Sequence, residues 1–115
     1  MSDSVCENSI MIADLAYDER RGLGSKIRPV FVVRYGNQKI TYYKITSQFS
    51  HKPEYLKSMY FEIKDWLSAG LRQPSWIDTV ALRRVEEQCV FVKFVGYLSA
   101  RDEARFVKFL SNQKS

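Results

Sequence analysis

The stretch Gly24-Ser25-Lys26-Ile27-Arg28-Pro29-Val30-Phe31-Val32-Val33-Arg34-Tyr35-Gly36-Asn37-Gln38-Lys39-Ile40-Thr41-Tyr42-Tyr43-Lys44-Ile45 decides the fold. Four apolar residues after Pro29 have the length and type of a buried strand, and a second β-rich run follows a Gly36-Asn37-Gln38 turn. The spacing predicts a hairpin with strands over 29–35 and 39–45. Proline fixes its own φ and drives Arg28 toward extended backbone, so a guanidinium is displayed from a defined place at the start of a rigid strand. The second strand runs on into Thr46-Ser47-Gln48. Hydroxyls and cations therefore meet near one end of the hairpin.

Outward from the hairpin, short strands and turns continue. Residues 10–15 read as a strand, 16–27 and 47–58 as polar loops, and 59–63 as a strand with Phe61 and Ile63 on one face. Residues 65–71 read as a short helical turn that Gly70 and Pro74 end. Two more strands fit 75–82 and 90–96, the latter almost wholly apolar and so placed at the centre of the sheet. Near the end, Ser99 is the expected N-cap behind Leu98, Asp102 and Glu103 lie in the first turn, and Phe106, Val107 and Leu110 follow at near-helical spacing. The fold class is mainly β with short helices: a small, partly closed β-barrel with a C-terminal helix over one end. Residues 1–8 allow a loose N-terminal segment, and 9–115 form one domain.

Composition narrows the function. At 115 residues the chain has room for one core, and 45% hydrophobic with 14% aromatic content excludes a disordered chain. No apolar run approaches the roughly 20 residues of a membrane span, and no basic-then-apolar leader opens the sequence. A soluble, cytoplasmic protein without a membrane partner is expected. Cys6 and Cys89 are far apart and lack spaced partners, which suggests neither a zinc knuckle nor a disulfide framework. The net charge of +5 hides an asymmetry: five acidic and no basic residues up to Glu19, then eight basic and no acidic ones from Arg20 to Lys52. Such a block favours a polyanionic partner. Phe31, Tyr35, Tyr42, Tyr43 and Phe49 are interleaved with it, and aromatics beside cations can stack unpaired bases, although some must serve the core.

The order "IADL", a polar loop, "KIRPVFVV", a strand ending "KITSQ", then "MYFEIKDW", "AGLRQPSWID" and "FVGYLSARDEARFVKFL" resembles the MazF/PemK family of toxin ribonucleases over nearly the whole chain. The resemblance implies a small SH3-like (PemK-like) β-barrel, a homodimer, and sequence-selective cleavage of single-stranded RNA such as mRNA without metal or other cofactor. It also implies neutralisation by a cognate antitoxin. In the family the arginine before the proline and the hydroxyl residue closing the next strand are functional, and these match Arg28 and Thr46. Chemistry supports both: attack of a 2′-hydroxyl on phosphorus builds charge on the phosphoryl oxygens, which a forked guanidinium and a hydroxyl can meet. Lys26, Ser25, Ser47, Gln48, Arg21 and Arg20 are candidates for binding the RNA itself.

Where many family members carry a Glu-Gln or similar pair ahead of the arginine, this chain has Leu23 and Gly24. The proton acceptor is therefore open among Asp18, Glu19, Asp78 and His51, the last being the one histidine and the side chain that titrates nearest neutrality. The alternative to an enzyme is a non-catalytic SH3-like barrel that binds nucleic acid or an extended peptide.

Overall fold

Asn37 and Gln38 reverse the chain at φ of 52° and 60°, with Gly36 and Lys39 as the closing register pair. Both central residues lie in the left-handed region, as a two-residue type I′ hairpin requires. In this computed structural model, which describes residues 3–14 and 27–113, the turn joins β2 (Ile27–Gly36) to β3 (Lys39–Thr46). The turning pair is Asn37-Gln38, one residue later than a Gly-Asn turn would place it. The Gln38 carbonyl accepts the Glu87 N–H at 2.8 Å, which ties the turn to the far end of the chain's longest strand. Glutamine gains nothing from a positive φ that glycine adopts freely. Gln38→Gly should therefore raise stability by about 0.5–1 kcal/mol, seen as a rise of a few degrees in thermal unfolding.

Around this hairpin stand β1 (Ser9–Asp14), β4 (Tyr60–Ile63), β5 (Ser75–Glu86) and β6 (Phe91–Tyr97), followed by α1 (Ala100–Gln113). All neighbours are antiparallel in one open sheet of order β4-β5-β3-β2-β1-β6. Both faces are buried. Ile10, Phe31, Ile45, Phe61 and Ile77 form one core with Phe106 of α1, and Met11, Val30, Ile40, Val85 and Val92 form a second. Adjacent residues such as Ile10 and Met11 enter different cores because strand side chains alternate. Ile77 and Val85 would share a face in a regular strand, yet they too enter different cores. Between Tyr42↔Arg83 and Lys44↔Asp78, Tyr43 alone faces residues 79–82 of β5. That bulge bends β5 from one core to the other. The strand runs on past it to Glu86, beyond the end at 82 that the sequence suggests.

β6 is an edge strand, a correction to the central place that its apolar run suggests. Its side chains are divided: Val92 is buried, whereas Phe91 (66% exposed) and Tyr97 (52%) are not. The segment just before β1 covers part of that edge and also reaches β2. The Asp3 N–H donates to the Val92 carbonyl at 2.9 Å, the Phe94 N–H donates to the Asp3 carboxylate at 2.8 Å, and the Tyr35 N–H donates to Glu7 at 2.8 Å. Residues 3–8, which the sequence allows to be loose, thus complete the ladder with a side-chain oxygen in place of a carbonyl.

α1 begins where the sequence places it. The Ser99 hydroxyl accepts the Asp102 N–H at 3.1 Å and donates to the Asp65 carboxylate at 2.5 Å, so the cap also fastens the helix to the turn after β4. Arg101 adds a forked contact to the same carboxylate through Nε at 3.1 Å and Nη2 at 2.5 Å. The Arg101 guanidinium and the Ser99 hydroxyl hold the Asp65 carboxyl below its ordinary range. A depressed native pKa contributes stability that is fully present above the unfolded value near 4 and is lost as pH falls through the native one. In Asp65→Asn the acid limb of the stability-against-pH curve should flatten, measured by urea unfolding from about pH 5 downward. Val107, read as part of the apolar stripe, is 62% exposed, while Phe106 and Leu110 face the core. Among the described residues no helix is long and apolar enough to cross a membrane.

Candidate functional site

At the open end of the hairpin, opposite Asn37-Gln38, the ladder between β2 and β3 stops at Val30↔Lys44. Continued by two residues, that register would set Arg28 across from Thr46. β2 instead turns to its other neighbour, with Pro29 paired to Ile12 and Arg28 to Ala13. The parting of the strands leaves a cavity of about 560 Å³. One wall is the start of β2 with Arg28 and Pro29, and a second is the end of β3 with Thr46, Ser47 and Gln48.

The third wall is segment 70–75, and its position follows from two glycines. After Asp65 the chain makes a single helical turn, in which the Leu71 N–H reaches back to the Trp66 carbonyl and the Gly70 N–H to that of Leu67, both at 3.0 Å. With Gly70 at φ 96° this is a Schellman closure. A Cβ on Gly70 would meet the Val95 carbonyl oxygen at 2.8 Å, and one on Gly96 would meet that of Ala69 at 2.4 Å, so segment 69–70 packs backbone to backbone on β6. Beyond it, Leu71 is buried, as is Ser75, whose hydroxyl donates to the Gln73 carbonyl at 2.8 Å. Arg72 and Gln73 are carried between these two anchors, exposed at the rim of the cavity.

The lining has two kinds of chemistry. Ile12, Ile45, Leu71 and Val95 give an apolar floor, and Arg28, Arg72, Gln48 and Gln73 supply cations and amides above it. Neither arginine has a hydrogen bond or ion pair to a described residue, so both are available to an anion. The Thr46 hydroxyl accepts the Gln48 N–H at 3.0 Å, which fixes its oxygen and leaves its proton to donate. Ser47 Oγ accepts from the Gln48 amide at 3.5 Å.

Of the residues singled out in the sequence, the structure brings Arg28, Thr46, Ser47 and Gln48 to this one cavity. Asp78 and His51 are not among its described lining. Asp78 accepts the Val80 N–H at 2.9 Å where β5 begins its bulge, and it faces Tyr60, whose phenol burial and this carboxylate push up. His51 ends a short 3-10 turn, Phe49–His51, that the stacking of Phe49 on Trp76 (centroids 4.9 Å apart, 10° between planes) holds against β5. Asp18, Glu19, Arg20, Arg21, Ser25 and Lys26 lie outside the described residues.

The aromatics of the basic block are engaged elsewhere. Phe31 and Tyr42 are core, Tyr43 packs edge-on to Phe106, and Tyr35 donates to Glu87. Sequence reasoning missed Arg72, Gln73 and Ser75 as site residues. Their signal was Gly70 followed by Pro74-Ser75: a helix-closing glycine projects the next few residues outward until the chain re-enters a strand. Among the described residues no three of His, Cys, Asp and Glu gather as metal ligands would. No protein-family model matches this chain, and no curated protein matches it either.

Proposed function

We propose that the chain is a metal-independent endoribonuclease of the MazF/PemK toxin type, cleaving single-stranded RNA at the cavity that Arg28 and Thr46 share. The observation that carries this reading is their convergence: a guanidinium without a partner among the described residues, and two hydroxyls, around one space at the open end of a rigid hairpin. In the reaction the 2′-hydroxyl attacks the adjacent phosphorus, a new P–O2′ bond forms and the P–O5′ bond breaks. One proton leaves the 2′-oxygen and one reaches the departing 5′-oxygen, giving a cyclic phosphate and a free 5′-hydroxyl. Arg28 would meet the charge that develops on the phosphoryl oxygens, and Thr46 would donate to the same group.

An SH3-like closure of the sheet belongs to this proposal. It is supported by the first core, which buries side chains of five strands and has the partly buried Val95 of β6 packed against it, and by the bend of β5. So do homodimer formation, a cytoplasmic setting and neutralisation by a cognate antitoxin whose acidic segment would lie on the same positive cavity. To test the reading, purified protein is incubated with single-stranded RNA in EDTA and the products are mapped. Fragments with cyclic-phosphate and 5′-hydroxyl ends support it, and intact RNA at ample enzyme sinks it.

One observation favours a second reading, a barrel that binds RNA without cutting it. Of the four groups that the sequence offers to move a proton, the two among the described residues, Asp78 and His51, stand outside the cavity lining. Affinity that falls steeply with salt, with no product after long incubation, would select this reading.

A further inference from the structure

We infer that segment 70–75 is the base-reading wall of the site, with Gln73 discriminating one unstacked nucleobase and Arg72 holding a phosphate beside it; this rests on the RNA reading above. The cavity is larger than a phosphate alone requires. Its volume of about 560 Å³ lies within the roughly 300–1,000 Å³ of small-molecule sites, and its floor of Ile12, Ile45, Leu71 and Val95 suits the flat apolar face of a base. Its rim suits the edges. An amide presents a donor and an acceptor side by side, which can pair with a base edge as no point charge can.

Gln48 and Gln73 are the two amides of the lining, and they differ in freedom. The Gln48 side chain is turned to its neighbour Ser47, and its backbone N–H is held by Thr46. Gln73 uses only its backbone carbonyl, which accepts from Ser75 and fixes the direction of the segment. Its amide has no partner among the described residues. Arg72 and Arg28 are carried into the lining by separate segments, and neither guanidinium has a partner among the described residues. Two cations carried by separate segments of a cavity this large suit the consecutive phosphates on either side of a splayed base. The wall is rigid enough to discriminate because its hinge end is locked on β6 by the Gly70 and Gly96 approaches, and Leu71 and Ser75 are buried on either side of the two reading residues.

The test uses four short single-stranded RNAs that differ at one central base, titrated against the whole chain at several salt concentrations by fluorescence anisotropy. Their cleavage is mapped in parallel. Wild type should rank the four with a spread of about tenfold. Gln73→Ala should flatten that ranking and move the cut sites while leaving the mean affinity within a few fold. Arg72→Ala should weaken all four alike and make the slope of log affinity against log salt shallower by about 0.7, the share of one single-strand phosphate. Both side chains are exposed, so thermal unfolding should coincide with wild type, and this separates a lost contact from a lost fold. An unchanged ranking in Gln73→Ala, or an unchanged slope in Arg72→Ala, overturns the inference. If wild type still cleaves in that case, the ribonuclease reading stands without it; wild type that neither binds nor cleaves at low salt defeats both.

Discussion

Arg28→Ala should slow RNA cleavage by a factor of about 10² to 10³, equivalent to roughly 3–4 kcal/mol of transition-state stabilisation, while the protein remains folded. The magnitude follows from what the guanidinium would do. A phosphodiester carries one negative charge before the attack, and the pentacoordinate state concentrates more on the oxygens that a forked donor contacts. A contact that strengthens in this way lowers kcat and kcat/KM together when it is lost, whereas simple RNA attraction would raise KM and spare kcat. Arg28→Lys should recover little, because a single ammonium cannot make the two parallel hydrogen bonds. Arg28 is exposed and bonds no described side chain, so its removal should leave the unfolding temperature unchanged. Equal single-turnover rates for wild type and Arg28→Ala would remove this residue from the site. A raised KM alone would recast the cavity as a binding groove.

That this experiment could be framed from the sequence reflects how the chain encodes the site. Pro29 and the apolar run behind it locate Arg28 by local rules, and the β-rich run after the turn ends in Thr46, although the register between the two strands is shifted by one residue at a bulge between Val32 and Arg34. Hydroxyl and cation were therefore legible together. What local rules do not carry is the path of a strand after a bulge. Residues 79–82 break the alternation of β5, so its true length and the change of core between Ile77 and Val85 are tertiary facts. The edge position of β6 was hidden for a related reason: Val92 and Val95 pack inward while Phe91 and Tyr97 do not, and an apolar run does not report which side of each residue is covered. The third wall escaped because nothing near Arg72 in sequence is chemically unusual. It becomes a wall only where Gly70 and Gly96 let two backbones touch. Asp78 looked available as a carboxylate because its use in starting the bulge depends on that same non-local bend.

The largest expected loss of stability lies away from the cavity, at Asp102, a residue whose place in the first turn of α1 the sequence gives and whose burial it does not. Asp102 is fully buried. Its carboxylate accepts the Asp65 N–H at 2.7 Å, the Lys64 N–H at 3.3 Å and Arg105 Nη1 at 2.6 Å, so one side chain satisfies two backbone donors and a cation where the turn after β4 meets α1. Arg105 is positioned in turn by the Glu62 carbonyl at 3.1 Å and by the Phe61 ring, 4.8 Å from its guanidinium carbon. Asp102→Ala strips both N–H groups of their acceptor and leaves the guanidinium without its counter-charge. Each orphaned donor costs about 1–3 kcal/mol, and breaking a buried ion pair about 3–5. Arg105 is a third exposed and water can re-solvate it, so the ion-pair share largely falls away and the two orphaned donors set the loss, at about 3–4 kcal/mol. Against a total stability of about 5–15 kcal/mol this should lower the unfolding temperature by roughly 10 °C or more. Asp102→Asn keeps one acceptor oxygen and should lose less. Arg105→Ala should lose least, because the carboxylate retains two backbone donors at the positive end of the helix. In urea unfolding, Asp102→Ala should therefore be the least stable of the three variants, Asp102→Asn the next and Arg105→Ala the most stable. That ordering distinguishes an acceptor for backbone donors from a plain ion pair, for which either partner's removal would cost the same. The turn that Asp102 holds is the one that Gly70 closes and that launches Arg72 and Gln73 toward the cavity. At temperatures where Asp102→Asn is still folded, its RNA base preference should therefore weaken although it touches no part of the site.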